Sequence, residues 1–204
     1  MTQREWIVLG VVVAGIAAAA GLAAGVIGCA TDNRPRSGPA TQPTGLVAPS
    51  ILVEKSAHRL TLLDQGRAVT VYRAAVGGGK GDKVREGDRC TPEGQFYVCY
   101  KNPQSKYVLS MGLNYPNEED AHRGLRDGLI DRAQYDAIVT ANRTRSVDPN
   151  LWEKLWKTPL GGEIMIHGSG TGRDWTLGCV ALADDDIREL YELIPFGTVV
   201  EIKP

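Results

Sequence analysis

The segment 164–180, IMIHGSGTGRDWTLGCV, carries a histidine at 167 and a cysteine at 179. A free cysteine thiol titrates near about 8.5 and is mostly protonated at neutral pH, so a nucleophilic thiol needs a base or cation beside it, and histidine is the usual partner. His167 closes the apolar run Ile164-Met165-Ile166, while Cys179 follows a polar loop ending in Thr176-Leu177-Gly178. Gly178 lets the backbone turn tightly, so that the amides around Leu177, Gly178 and Cys179 can point at one place and hold the oxyanion of an acyl-transfer intermediate. Either residue alone has a bland explanation, an inert buried thiol or a structural imidazole. Together, with Thr and Gly flanking the cysteine and a helix-like run from Asp184, they predict an acyl-transfer centre with Cys179 as nucleophile and His167 as base. The base takes the thiol proton directly, or the two stand as an ion pair.

This pattern resembles the active-site motif of the L,D-transpeptidase (YkuD-like) family, in which His-Gly is followed after a loop by Ser or Thr, one residue, then Gly-Cys. The matching positions are His167-Gly168 and Thr176-Leu177-Gly178-Cys179. Leu177 stands where the commonest form has a second histidine, Ala181 stands where it has an arginine, and the loop between histidine and cysteine is short. With the tail GTVVEI at 197–202, these departures are more similar to the YafK-like branch, whose members include enzymes that cut peptidoglycan crosslinks as well as ones that make them. Thr91-Pro92-Glu93-Gly94 before Gln95-Phe96-Tyr97, the stretch 107–111, and Asn114-Tyr115-Pro116-Asn117 extend the resemblance over most of 50–203.

What the resemblance implies is a peptidoglycan stem tetrapeptide as acyl donor, attacked at its third residue to form a thioester on Cys179 with terminal D-Ala leaving. An amine from a second stem then completes a transpeptidation, and water a hydrolysis. In the loop, the implied supporting residues are Arg173 toward a stem carboxylate, Thr176 toward the imidazole, and Gly168. A non-catalytic wall-binding module on the same fold is the alternative of another class. A papain-like protease has its cysteine before its histidine, opposite to the order here.

The elements that must position these residues imply a mainly β, α+β fold. The resemblance makes it a YkuD-like sandwich or barrel-like mixed sheet, with a helical insertion before the motif and one helix after it. Alternating β-branched runs at 51–53, 60–63, 69–72 and 74–76 predict an antiparallel start. Gly77-Gly78-Gly79-Lys80-Gly81-Asp82 lacks the spacing of a phosphate loop and predicts a flexible loop at the sheet edge. Helical periodicity returns at 132–141 and 150–157, where Trp152 and Trp156 either pack on the sheet or wall the cleft. Asp184-Asp185-Asp186 reads as an acidic cap and first turn, which accounts for three adjacent acids without a metal, and no cofactor is expected. Pro195 ends that helix, and 198–202 is a closing strand.

Composition sets the frame. The chain has 204 residues, 43% hydrophobic, with a net charge of -1, and no basic block suited to nucleic acid. Residues 6–30 are uncharged and apolar, long enough for the roughly 20 residues that span a bilayer. Val26-Ile27-Gly28-Cys29 also resembles a relaxed lipobox, so 1–30 is a signal peptide, a lipoprotein signal with Cys29 lipidated, or an uncleaved anchor. All three place the remainder in the cell envelope, outside the cytoplasm, attached to a membrane or released from it. The Pro-rich stretch 31–49 is a linker, and 50–204 the catalytic domain. Cys90 and Cys99 are either a disulfide, as an exported protein permits, or two free thiols. The oligomeric state is left open.

Overall fold

The structure is a computed structural model describing residues 45–204. The expected anchor or signal with Cys29, and most of the linker, lie outside the described residues. Ordered contacts begin slightly before residue 50: Val47 and Ala48 both donate their N–H to Asp64 Oδ1, at 3.0 and 2.7 Å.

Three strands form the expected antiparallel start, β1 (Pro49–Glu54), β2 (Arg59–Asp64) and β3 (Arg67–Arg73). Gln65 and Gly66, at φ 51° and 76°, join β2 to β3 as a two-residue loop with both central φ values positive, the geometry that matches strand twist. Alternation then sends Ile51, Val53, Leu60 and Leu62 into the core. The remaining strands are β4 (Gly94–Asn102), β5 (Ser110–Leu113), β6 (Met165–His167), β7 (Val180–Ala181) and β8 (Val199–Lys203). One mixed sheet results, in the order β3-β2-β1-β8-β4-β5-β6-β7. Strand β4 joins its two halves, pairing with β8 through Gly94–Tyr97 and with β5 from Val98 onward. Where β5 has diverged, side-chain amides replace it: Asn114 Oδ1 accepts from the Tyr97 N–H, and Asn117 Nδ2 donates to the Gln95 carbonyl. Those backbone groups therefore stay satisfied at the split.

The insertion between β5 and β6 holds three helices, one more than periodicity alone suggests. They are α1 (Glu118–Arg126), α2 (Arg132–Arg143) and α3 (Pro149–Leu155). Asn117 with Asp120, and Asp131 with Gln134, form reciprocal capping boxes, and Asp148 caps α3 with Pro149 at its first position. A second core fills between these helices and β4, built on Tyr97, Cys99, Ile138, Trp152, Trp156 and Leu160. Both tryptophans pack rather than face a cleft; Trp152 is fully buried and its Nε1–H donates to the Ser146 carbonyl at 2.8 Å. Trp156 lies so close to the chain leading into β6 that a Cβ on Gly162 would stand 2.3 Å from its Cα.

Several expectations need correction. Residues 74–76 make only a single bridge, Ala75 to Ala181, because the chain leaves β3 to run beside β7. The glycine run is not a flexible loop at the edge. Gly77 packs backbone to backbone, its N–H on Thr91 Oγ1 at 2.8 Å, and a Cβ there would fall 2.2 Å from the Arg89 carbonyl oxygen. Farther along, Lys55 Nζ donates to the Gly81 carbonyl, and Arg123 of α1 holds Asp82 and the Lys83 carbonyl. Cys90 and Cys99 are free thiols. Cys90 Sγ faces the Lys80 carbonyl within the loop, whereas Cys99 Sγ faces the Gly112 carbonyl in the helical core, and burial pushes both thiols upward in pKa. Helix α4 (Asp184–Leu193) is capped by Ala183, without a side-chain bond; all three aspartates lie in the first turn, and Asp184 accepts instead from the Ser169 N–H at 2.8 Å.

The close approach at Gly77 yields a prediction. Gly77→Ala drives a methyl group into the Arg89 carbonyl and should lower stability by about 1–3 kcal/mol, as overpacking does. Thermal unfolding of the two proteins checks it, with a fall in Tm of roughly 3–10 °C expected for a domain of this size.

Candidate active site

The register of two short strands sets His167 and Cys179 on one face of the sheet. β6 and β7 are parallel, with Ile166 opposite Val180 and His167 opposite Ala181. Ile166, Val180 and Leu182 point into the main core. Period-two alternation therefore turns His167, Ala181 and Cys179, which stands one residue before β7, toward the other face. The Met165 N–H reaches Cys179 Sγ at 3.4 Å, and the thiol donates to the Glu163 carbonyl at 3.4 Å.

The protonation state follows from burial. Desolvation pushes the Cys179 thiol up to about 11, against the Met165 N–H, which favours the thiolate. Desolvation likewise lowers the His167 imidazole below its ordinary value, against the pull of the Gly168 carbonyl. Both shifts favour the uncharged forms, the thiol for Cys179 and the neutral imidazole for His167. Nδ1 of His167 lies 2.6 Å from the Gly168 carbonyl oxygen, which can only accept, so the ring proton is assigned to Nδ1 and Nε2 carries the lone pair. Among the described residues no hydrogen bond joins His167 to Cys179, and Nε2 has no partner.

The turn before the cysteine is built by Thr176. Its hydroxyl donates to the Cys179 carbonyl at 2.7 Å and accepts from the Gly178 N–H at 3.2 Å. Thr176 thus braces the turn before Cys179 and does not make the bond to the imidazole that the resemblance implies. It also occupies the Gly178 amide, which leaves the Leu177 and Cys179 N–H groups as the ones without an acceptor among the described residues. Gly178 adopts φ 136°, and a Cβ on it would meet the Cys90 carbonyl oxygen at 2.8 Å, so both conformation and space require glycine. Gly168 is required by space: its N–H donates to the Tyr107 carbonyl at 3.0 Å, and a Cβ would stand 2.8 Å from that same oxygen.

Asp174, given no individual role by sequence reasoning, anchors the loop. Its carboxylate accepts from the Val76 N–H at 3.0 Å and pairs with His58 Nε2 at 2.9 Å. The neighbouring Trp175 thereby meets the His167 ring edge-on, 5.6 Å between centroids, while Tyr107 stacks on that ring at 4.5 Å. Nothing in the local spacing points to Asp174, because its partners lie about a hundred residues earlier. Arg173 is exposed and, with Ser169, Gly170, Gly172 and Trp175, lines an open cavity of about 350 Å³ beside the histidine. Leu177 is 73% exposed at the nucleophile turn. Ala181 is fully buried with its backbone paired to Ala75, which leaves no room for a guanidinium at that position.

Residues 48–202 match the model of the YkuD family, the L,D-transpeptidase catalytic domain. The chain belongs to this family. Solved structures similar to it include the helical cell shape determining protein Pgp2 of Campylobacter jejuni, at 22% identity and TM-score 0.50, covering 77% of this chain and 48% of that one. Another is an L,D-transpeptidase (residues 123-326) from Xylanimonas cellulosilytica DSM 15894, at 16% identity and TM-score 0.45, covering 79% of this chain and 63% of that one. The chain thus spans about half to two thirds of their length, and at 22% identity the likeness to Pgp2 bears on the fold alone. No curated protein matches the chain. The mainly β, α+β architecture is that of the family, with the helical insertion before the His-Gly motif and α4 after the cysteine.

The protonation state gives a direct test. With its thiol raised to about 11, Cys179 should react with iodoacetamide at pH 7 roughly a hundredfold more slowly than a free cysteine, and faster with each rise in pH. Alkylation rates followed by mass spectrometry between pH 6 and 11 check this; a rate independent of pH below 8 would instead mark an ion pair.

Proposed function

We propose that this domain performs cysteine-dependent acyl transfer on peptidoglycan stem peptides, as an L,D-transpeptidase. The observation that carries the reading is the placement on one sheet face of the Cys179 thiol and an imidazole whose Nε2 has no partner among the described residues, beside a turn whose Leu177 and Cys179 amides likewise have no acceptor among them. Nε2 of His167 removes the thiol proton as sulfur bonds to the donor carbonyl carbon. The oxyanion that forms is held by the Leu177 and Cys179 N–H groups. Collapse expels the amine of the terminal residue, which takes the proton back from the imidazolium and leaves a thioester on Cys179. A second stem's amine, giving its proton to His167, attacks the thioester and restores the thiol. The neutral resting pair suits this sequence, since the proton moves only when a carbonyl is present to receive the sulfur.

Arg173 supplies the cation of the adjoining cavity, and we assign it to a substrate carboxylate, with Trp175 as the apolar wall. Such a substrate places the domain in the cell envelope; membrane attachment through 1–30, by lipidated Cys29 or by an uncleaved anchor, is part of the same proposal. Among the described residues no helix is long and apolar enough to cross a membrane.

The full chain, incubated with disaccharide-tetrapeptides and separately with crosslinked muropeptides, tests the reading by mass spectrometry. Joined stems are expected from the wild type and none from Cys179→Ala, with His167→Gln at least about 10²-fold slower. Release of tripeptide or splitting of crosslinks without joining would replace transfer by hydrolysis, and equal inactivity of wild type and Cys179→Ala would leave a binding module. Arg173→Ala should raise KM about tenfold with kcat nearly unchanged, the loss of one charge-assisted hydrogen bond made equally in ground and transition states.

A further inference from the structure

Between β4 and β5 the backbone is forced through a conformation that its sequence does not favour. Val108 sits at φ 73°. A β-branched residue in the left-handed region is a genuine outlier, since its branched Cβ crowds the backbone there. The Leu109 N–H donates to the Tyr107 carbonyl at 3.0 Å, closing a three-residue turn around Val108. Turns of this hand are rare and strained, and such strain persists only where surrounding structure over-determines it.

What surrounds it is the His167 ring. The same Tyr107 carbonyl accepts from the Gly168 N–H at 3.0 Å, which fixes the residue next to the histidine. The Tyr107 ring lies on the imidazole with centroids 4.5 Å apart and planes inclined by 23°, close to parallel. Trp175 meets both rings, at 5.6 Å from His167 and 5.8 Å from Tyr107. The Tyr107 hydroxyl has no hydrogen bond among the described residues, so the contribution is that of the flat ring. Charged and titratable groups around this cluster are Lys106, whose Nζ is 5.0 Å from the Tyr107 centroid, Arg173 and Asp174 beside Trp175, Asp184 at the start of α4, and the Cys179 thiol.

We infer that Tyr107 is a positioning residue for His167: the strained turn at Val108 holds its ring flat on the imidazole, shuts water from that face, and leaves Nε2 as the ring nitrogen without a partner among the described residues. The inference rests on the acyl-transfer reading for its kinetic consequence, while its structural content is independent of that reading. One face of the imidazole is covered by Tyr107, its side by Trp175, and Nδ1 by the Gly168 carbonyl. The ring cannot rotate without losing all three contacts.

The test uses full-length protein with the substitutions Tyr107→Phe, Tyr107→Ala and Val108→Pro. Proline cannot adopt positive φ, and the Val108 N–H it removes has no backbone acceptor among the described residues, so this change abolishes the turn, with the Leu109–Tyr107 bond that closes it, and takes no hydrogen bond from residue 108 itself. The readouts are the His167 imidazole titration by NMR, assigned by its loss in His167→Gln, and kcat and KM for stem joining. In Tyr107→Ala and in Val108→Pro the imidazole pKa should rise toward the ordinary value of about 6.5, with kcat down roughly 10–100-fold and KM within about twofold. Tyr107→Phe should restore both the titration and kcat. A titration unmoved in both Tyr107→Ala and Val108→Pro overturns the inference, as does failure of phenylalanine to restore it. If wild type and Cys179→Ala are equally inactive, the acyl-transfer reading falls, yet the imidazole titration still decides the role of Tyr107.

Discussion

Parallel pairing of two very short strands, Met165–His167 and Val180–Ala181, is the constraint on which the site depends. Parallel strands cannot be joined by a tight turn, so the intervening chain must loop out and return, and in doing so it becomes the floor and wall of the site. Once Ile166 and Val180 are sunk in the core, alternation leaves no freedom about where His167 and Cys179 face. A slip of one residue in this ladder would exchange the buried and presented sets. The isolated bridges from Ala75 to Ala181 and from Gly77 to Thr176 hold the far side of β7 and of the loop, so the pairing is clamped from both edges.

Packing around this ladder is unusually dependent on residues without side chains. Gly77, Gly162, Gly168 and Gly178 each stand where a Cβ would fall within 3 Å of a neighbouring heavy atom. Each lets one chain segment lie directly on another: Gly162 on Trp156, Gly77 on Arg89, Gly168 on Tyr107 and Gly178 on Cys90. The insertion acts through Trp156, which presses on the chain leading into β6, and not by covering the cleft. Polar groups exposed by this crowding are met locally: Thr176 bridges the turn, Asp174 takes the Val76 N–H, and Asn114 and Asn117 cap the edge of β4.

Electrostatics at the centre favour neutrality. No lysine or arginine is hydrogen-bonded to Cys179 among the described residues, and burial dominates the titration of both His167 and Cys179. The departures from the commonest form of the motif are consistent with such a site. Ala181 is fully buried beside Ala75, and Leu177 puts an apolar side chain in solvent at the turn before Cys179.

The sequence by itself pointed to the family and determined the local elements. The candidate pair His167 and Cys179, with Gly168 and Gly178, was legible because backbone conformation and thiol chemistry restrict residue type at close spacing, and β1 to β3, α2 and α4 were legible because hydrophobic period is a local property, whereas the cap of α4 fell to Ala183. The strand at 74–76, the flexible glycine loop, the bond from Thr176 to the imidazole and the open question of Cys90 and Cys99 were decided only by tertiary structure. In each case the deciding partner is distant in sequence or faces away: Ala181 for Ala75, Arg89 for Gly77, the Cys179 carbonyl for Thr176, and separate sides of the fold for the two thiols. The same holds for Asp174 and Tyr107, which reach the site through contacts that span from 60 to 116 positions of chain. Local pattern carries propensity and reactivity, whereas the choice among hydrogen-bond partners, and the burial that sets the protonation state of His167 and Cys179, exist only once remote segments are brought together.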